Sequence, residues 1–160
     1  MGEASSKYPV LRIALWEPEI PPNTGNVARL CAATGAELHL IGRLGFRLDD
    51  RRLRRAGLEY WSQLAVHHHV DLAAFENAIS PARLFAFSAH SQRLYTSVAY
   101  QPGDCLIFGG ESHGLPAGFL ERMGNNALLL PMPADMVRSL NLATAVGIAA
   151  YEALRQIYKW

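Results

Sequence analysis

Charge is scarce in this chain: only 18% of its 160 residues are Asp, Glu, Lys or Arg, against roughly 25% in an average soluble domain. So bland a surface implies that part of it is covered by another subunit, and the composition favours an oligomer. Neither sign dominates. Fifteen Lys and Arg face fourteen Asp and Glu, which excludes a nucleic-acid-packaging polycation and an acidic tail, so any nucleic acid must be met by a local basic patch. Cysteine is nearly absent. Cys31 and Cys105 stand far apart and outside any C-x-x-C spacing, which excludes a disulfide framework and a four-cysteine zinc centre and suits a reducing, cytoplasmic setting. Long apolar runs are missing too: the longest uncharged, mostly apolar stretch is residues 140–151, short of the ~20 residues a membrane helix needs. Residues 1–9 carry no apolar signal segment, so neither secretion nor a membrane span is expected. Met1-Gly2-Glu3-Ala4-Ser5-Ser6 formally fits a myristoylation pattern, but a pattern with three free positions recurs by chance.

Half of the residues are hydrophobic, enough for one domain, residues 1–160, with a sizeable core. Apolar runs of strand length alternate with helical stretches, the signature of an α/β domain on a mostly parallel sheet. Strands are expected at residues 11–16, 37–41, 66–70, 83–87, 105–108 and 127–130, helices at 51–64, 71–80 and 140–158, and a loop at 21–24 that leads into a first helix running to about residue 34. Gly35 stops the first helix and Asp71 caps the third. After Phe108 the run Gly109-Gly110-Glu111-Ser112-His113-Gly114-Leu115-Pro116 must bend sharply and expose backbone.

Five constellations could carry chemistry. Gly110-Glu111-Ser112-His113-Gly114 matches the G-x-S-x-G nucleophile elbow of esterases. That reading fails on chain order, because no histidine lies beyond the motif to complete a triad. His67-His68-His69 places at most His67 and His69 on one strand face. With Asp71 on the same parity a partial metal site is open, but a solvated strand edge is the plainer reading, and no metal is expected. Asn23-Thr24-Gly25-Asn26-Val27-Ala28-Arg29 enters the first helix, where unpaired amides and the helix field favour anions; a plain helix cap with a surface arginine fits equally. The stretch 47–55 carries five arginines against two aspartates. Helical spacing brings Arg51, Arg54 and Arg55 near one face, suited to phosphate contact or to a salt-bridged solvated face. Finally, Leu130-Pro131-Met132 and Arg138-Ser139-Leu140-Asn141-Leu142 lead into the last helix, which Ser139 or Asn141 can cap.

Together, NTGNVAR, FGGESHGLP and LPM followed by RSLNLATAV closely resemble the three motifs of the SPOUT methyltransferases, and most of all their small tRNA (cytidine/uridine-34) 2′-O-methyltransferase branch. The resemblance runs from about residue 11 to 156. It implies a mostly parallel sheet with helices on both faces, its C-terminal part threaded into a deep trefoil knot, an exception to the rule that chains do not thread loops. It also implies a homodimer and S-adenosylmethionine as methyl donor, bound by Phe87, Ser88, Gly109, Gly110, Glu111, Gly114, Leu130, Met132, Ser139 and Asn141. It assigns catalysis to Arg29, Asn26 and Ser139, and substrate contacts to Asn23, Arg29, Arg51, Arg54, Arg55 and Arg138. Glu111 would hold the loop or orient Arg29.

The expected reaction is 2′-O-methylation of the wobble nucleotide of tRNA, with the anticodon stem-loop gripped by the dimer. Methylation of another RNA site, or a catalytically silent knotted RNA-binding dimer, are the alternatives. The chain departs from the family pattern in placing Ala143, then Thr144, where a serine commonly follows the S-L-N-L core.

Overall fold

The computed structural model describes residues 8–49, 51–53, 55 and 61–160. The strands are β1 (Arg12–Trp16), β2 (Glu37–Ile41), β3 (Val66–His69), β4 (Leu84–Phe87), β5 (Arg93–Leu94), β6 (Cys105–Gly109) and β7 (Ala127–Leu129). The helices are α1 (Pro21–Thr34), α2 (Leu72–Ile79), α3 (Ala117–Met123) and α4 (Leu142–Tyr158). The strands form one sheet in the order β3-β2-β1-β6-β4-β7-β5, and every pairing is parallel.

Such a sheet is stable only when both faces are covered, so its central strands read as unbroken apolar runs. In β1, Ile13 and Leu15 join one core layer and Ala14 the other. The first layer lies under α1 and α4, through Val27, Ala28 and Cys31 on one helix and Val146, Ala149 and Ala153 on the other. The second lies under α2 and α3, through Phe75, Ile79 and Phe119. Alanines on α4 let two helices share one face, because small side chains permit close approach.

The expected punctuation is in place. Gly35 adopts the left-handed conformation (φ 76°) at the end of α1, and Asp71 accepts from the Ala74 amide at the start of α2. Asn141, not Ser139, caps α4 by accepting from the Thr144 amide, so that helix begins at Leu142. Four expectations need correction. Residues 21–24, expected as a loop, already form the first turn of α1, because proline is well suited to the first helical positions. The connection between β4 and β6 contains the short strand β5, whose two residues offer too little pattern to be read as a strand. The segment after Pro116 forms α3, seven residues with no side-chain cap to mark it. The helix expected over 51–64 is seen at residues 51–53, 55 and 61, but residues 62 and 63 form a turn and 64 is outside it.

The chain leaves β1 toward β2 and β3 on one side, and β6 returns on the other. In open α/β sheets the crevice at the carboxyl ends of strands flanking such a reversal is where ligands bind.

Candidate active site

Helix α1 starts without a cap of its own. Its N-cap is Ile20, and Pro21 and Pro22 fill the first two positions, where a missing N–H costs nothing. The capping acceptor comes from the glycine-rich loop after β6. Glu111 accepts from the Glu19 amide at 2.7 Å, the Ile20 amide at 3.1 Å and Asn23 Nδ2 at 3.1 Å. Glu19 answers in the opposite direction, accepting from the Ser112 amide at 2.9 Å and the Ser112 hydroxyl at 2.6 Å. Two loops some ninety residues apart are thus clasped by crossed carboxylates. The bonds from Ser112, chiefly from its hydroxyl, hold Glu19 below the ordinary carboxylate value, and His113 adds to the effect.

The third motif joins through Asn141, whose Nδ2 donates to Asn23 Oδ1 at 3.0 Å. Asn23 is 7% exposed, and it touches both partners at once: its amide nitrogen serves Glu111 and its oxygen serves Asn141.

The glycine loop passes very close to its surroundings. A Cβ on Gly109 would lie 2.1 Å from the Gly114 carbonyl carbon, and one on Gly110 would lie 2.3 Å from the Glu17 carbonyl oxygen. Both are backbone atoms that cannot swing aside. Gly110 and Gly114 form an isolated antiparallel bridge that closes the bend.

These elements surround a cleft of about 990 Å³, at the upper end of the size range of small-molecule sites. Of the cofactor residues assigned by resemblance, Phe87, Ser88, Gly109, Gly110, Glu111, Gly114, Met132, Ser139 and Asn141 line it. Leu130 lines a small adjoining cavity shared with Phe87, Ser88, Met132 and Ser139. Among the substrate residues, Asn23 and Arg138 line the cleft. Asn26 and Arg29 do not: they are exposed one and two turns further along α1. Arg51 and Arg55 are exposed on the helical segment, and Arg54 lies outside the described residues.

Several residues of the cleft stand outside the assignments made from sequence: Ile20, Ala89, His90, His113, Asp135 and Met136. Glu19 does not line the cleft but holds Ser112 of the glycine loop, and its only signal in the sequence is its place just before the first motif.

Ser112 spends its hydroxyl proton on Glu19, so the elbow-like spacing builds no hydrolytic triad. The solvated edge expected for the histidine run holds for His67 and His68 but not for His69, whose Nε2 lies 2.9 Å from Nδ1 of buried His39. Burial pushes the His39 imidazole down to about 4. Asp71 does not join them, since its carboxylate is taken up by capping α2.

Comparison with known proteins places this architecture. Residues 10–151 match the SpoU rRNA methylase family. The tRNA (cytidine(34)-2′-O)-methyltransferase of Escherichia coli K12 is 50% identical over 149 residues, covering 92% of this chain and 94% of that protein. A structure solved to explain 2-OH methylation of C/U34 on tRNA superimposes with a TM-score of 0.90 at 49% identity, covering 95% of this chain and 99% of the other. An AdoMet-bound rRNA methyltransferase from Sinorhizobium meliloti superimposes with a TM-score of 0.80 at 25% identity, over 91% of this chain and 56% of that one. With its three motifs gathered on one cleft and nearly its whole length matched, the chain belongs to the SpoU rRNA methylase family.

Proposed function

We propose that this protein is an S-adenosylmethionine-dependent methyltransferase that acts on the ribose 2′-oxygen of cytidine or uridine 34, the wobble nucleotide of tRNA. The observation that carries this reading is the joining of Asn23, Glu111 and Asn141 around one cleft, in a chain half identical to a tRNA (cytidine(34)-2′-O)-methyltransferase.

The cleft suits the cofactor's chemistry. Apolar Phe87, Leu115 and Leu142 stand beside polar Ser88 and Ser139. Gly109 and Gly110, where a Cβ would collide with backbone at Gly114 and Glu17, keep the bend tight, and the exposed main-chain groups of this loop would read the nucleoside edge. The cofactor would therefore be held by Phe87 and Ser88, the loop at 109–114, and Leu130, Met132, Ser139 and Asn141. Once bound it supplies a methyl group on a positively charged sulfur.

The chain's own task is alignment and charge. The chain's residues would have to align the ribose 2′-oxygen with the methyl group that the cofactor would supply, and the hydroxyl proton would pass to a phosphate oxygen of the RNA. Arg29 stabilises the negative charge that grows on the 2′-oxygen. A guanidinium, whose pKa exceeds about 12, is a poor base. Asn26, one turn before it, and Asn23 orient the nucleotide, and Ser139 holds the ribose at the cleft wall.

Arg29 and Asn26 stand outside the cleft, so the substrate must lie across the α1 ridge. We take the protein to be a homodimer. Ile148 and Tyr151, one turn apart on α4 and 40% and 49% exposed, leave apolar surface for a second copy. The position of β7 between β4 and β5, with the chain then returning to α1 through Asn141, supports the C-terminal knot as part of the same reading. Arg138 beside the cleft, with Arg51, Arg54 and Arg55, would contact the phosphates of the anticodon stem-loop. Two buried free cysteines accord with a cytoplasmic enzyme.

The test is transfer of labelled methyl from S-adenosylmethionine to total tRNA and, in parallel, to ribosomal RNA, followed by nucleoside mapping. Label in 2′-O-methylcytidine or 2′-O-methyluridine at position 34 is expected. Label confined to ribosomal RNA would overturn the substrate assignment.

A further inference from the structure

On the sheet face covered by α2, away from the cleft loops, three side chains from two strands come together. Parallel pairing sets His39 of β2 beside His67 of β3, and Glu37 shares their face by strand alternation. Glu37 Oε2 lies 3.2 Å from His39 Nε2, the two imidazoles stack with ring centres 4.8 Å apart, and one donor atom from each of the three residues falls within 4.8 Å of the other two. None of them lines the cleft.

We propose that Glu37, His39 and His67 form a binding site for a divalent transition-metal ion of the zinc class, separate from the methyl-transfer site. Two nitrogen donors and one carboxylate oxygen are a donor set such ions take. Metal–ligand distances of about 2.0–2.2 Å put neighbouring donors of a tetrahedral ion about 3.4 Å apart. Glu37 and His39 stand close to that separation, at 3.2 Å, and His67, which is exposed, has room to swing in. Water would complete the coordination from the His67 side.

His39 is the anchor. It is 4% exposed, and the Phe75 ring packs edge-on against both it and His69. Its second nitrogen is also held: Nδ1 lies 2.9 Å from His69 Nε2, the outer hydrogen bond that fixes the tautomer of a metal-binding imidazole. With Nδ1–H donating to His69, Nε2 turns a lone pair toward the Glu37 oxygen, and a cation between them removes the repulsion. Without a metal both protons sit on the opposite nitrogens: His39 Nε2–H donates to Glu37 and His69 Nε2–H donates to His39. Binding thus moves two tautomers and changes no net charge on either ring. Arg12 faces the group from β1, its Nε 3.5 Å from Glu37 Oε2, and balances that carboxylate until an ion arrives. The bound ion would pin β3 to β2 at the sheet edge, a structural clip.

The experiment is titration of untagged protein with Co²⁺, read by visible absorption, followed by displacement with Zn²⁺. Intense bands of a tetrahedral ion are expected, saturating at one ion per chain and erased by Zn²⁺. His67→Ala, which removes a direct ligand, should weaken binding by at least the roughly 10- to 100-fold that loss of an outer-shell partner costs; because His67 is exposed, this variant keeps the fold. His68→Ala, whose ring turns to the other face and meets the Gly42 carbonyl, should bind as the parent does. Only weak octahedral-type absorption, bands unchanged in His67→Ala, or equal losses in His67→Ala and His68→Ala would each overturn the assignment.

Discussion

Asn141 donates through its side-chain amide to Asn23 at 3.0 Å across 118 residues of chain, and Asn23 passes the connection on to Glu111 at 3.1 Å. A single small side chain therefore registers the start of α1, the loop after β6 and the start of α4 against one another. Asn23→Ala leaves the Glu111 and Asn141 groups short of a partner, at a cost of about 1–3 kcal/mol, and should lower the melting temperature by a few degrees while reducing methyl transfer at least tenfold. Asn23→Asp keeps an acceptor for Asn141 but turns a carboxylate toward Glu111. It should be the worse variant in both assays, and a milder effect than that of Ala would show that Glu111 does not meet the Asn23 amide.

The glycine loop makes a steric prediction. Gly109→Ala and Gly110→Ala each place a methyl about 2 Å from backbone atoms, at Gly114 and Glu17 respectively. Both should raise the dissociation constant for S-adenosylmethionine at least tenfold by calorimetry. Gly118→Ala on α3 meets nothing within 4 Å and should leave binding intact, with up to about 1 kcal/mol of added stability from helix propensity.

How far the sequence exposed this arrangement depends on the range of each interaction. Strand β2 falls at residues 37–41 as expected because Glu37, Leu38, His39, Leu40 and Ile41 form a short run bounded by Gly42. The motif residues were legible as types at a spacing, but their partners were not. The role of Glu19 depends on Ser112, 93 residues away, and nothing local distinguishes it from Glu17. Nothing in the sequence around His39 points to a partner; its neighbours His67 and His69 emerge only once β2 and β3 are paired in register. Strand β5 is held by β7, so its extended form follows from tertiary pairing more than from the preferences of Arg93 and Leu94.

Arg29 separates catalysis from stability. It is exposed and makes no hydrogen bond or ion pair among the described residues, so Arg29→Ala should leave the melting temperature unchanged. Removing an oxyanion-stabilising donor typically costs about 10²–10³-fold in turnover, and that fall is expected in kcat with cofactor affinity preserved. Arg29→Lys keeps the charge without the planar fork. Near-normal turnover in that variant would rule out a specific guanidinium role.

Phosphate binding carries a salt signature. Replacing Arg51, Arg55 or Arg138 with Glu should weaken tRNA binding and flatten its dependence on salt, by about 0.7–0.9 in the logarithmic slope for each phosphate no longer neutralised. Turnover at saturating tRNA should change little for Arg51 and Arg55, which stand away from the cleft. An unchanged slope in both would make that segment structural only.

The crossed carboxylates predict a pH effect of defined sign. Glu19 is held below its ordinary value of 4.5, first by the Ser112 hydroxyl and then by the Ser112 amide. A carboxyl with a depressed folded-state pKa stabilises the fold above its unfolded value, and that contribution fades as pH falls through the folded value. The clasp between the β1–α1 and β6–α3 loops should therefore be complete at pH 7 and loosen only below about 4.5. Ser112→Ala removes the largest cause, so the Glu19 carboxyl, followed by NMR titration, should move up toward 4.5. Methyl transfer at pH 7 should survive, because the Glu19–Glu111 side of the clasp still holds through the Glu19 amide. Hydrolysis of an activated ester that disappears in Ser112→Ala would restore the nucleophile reading that the Ser112–Glu19 hydrogen bond now opposes.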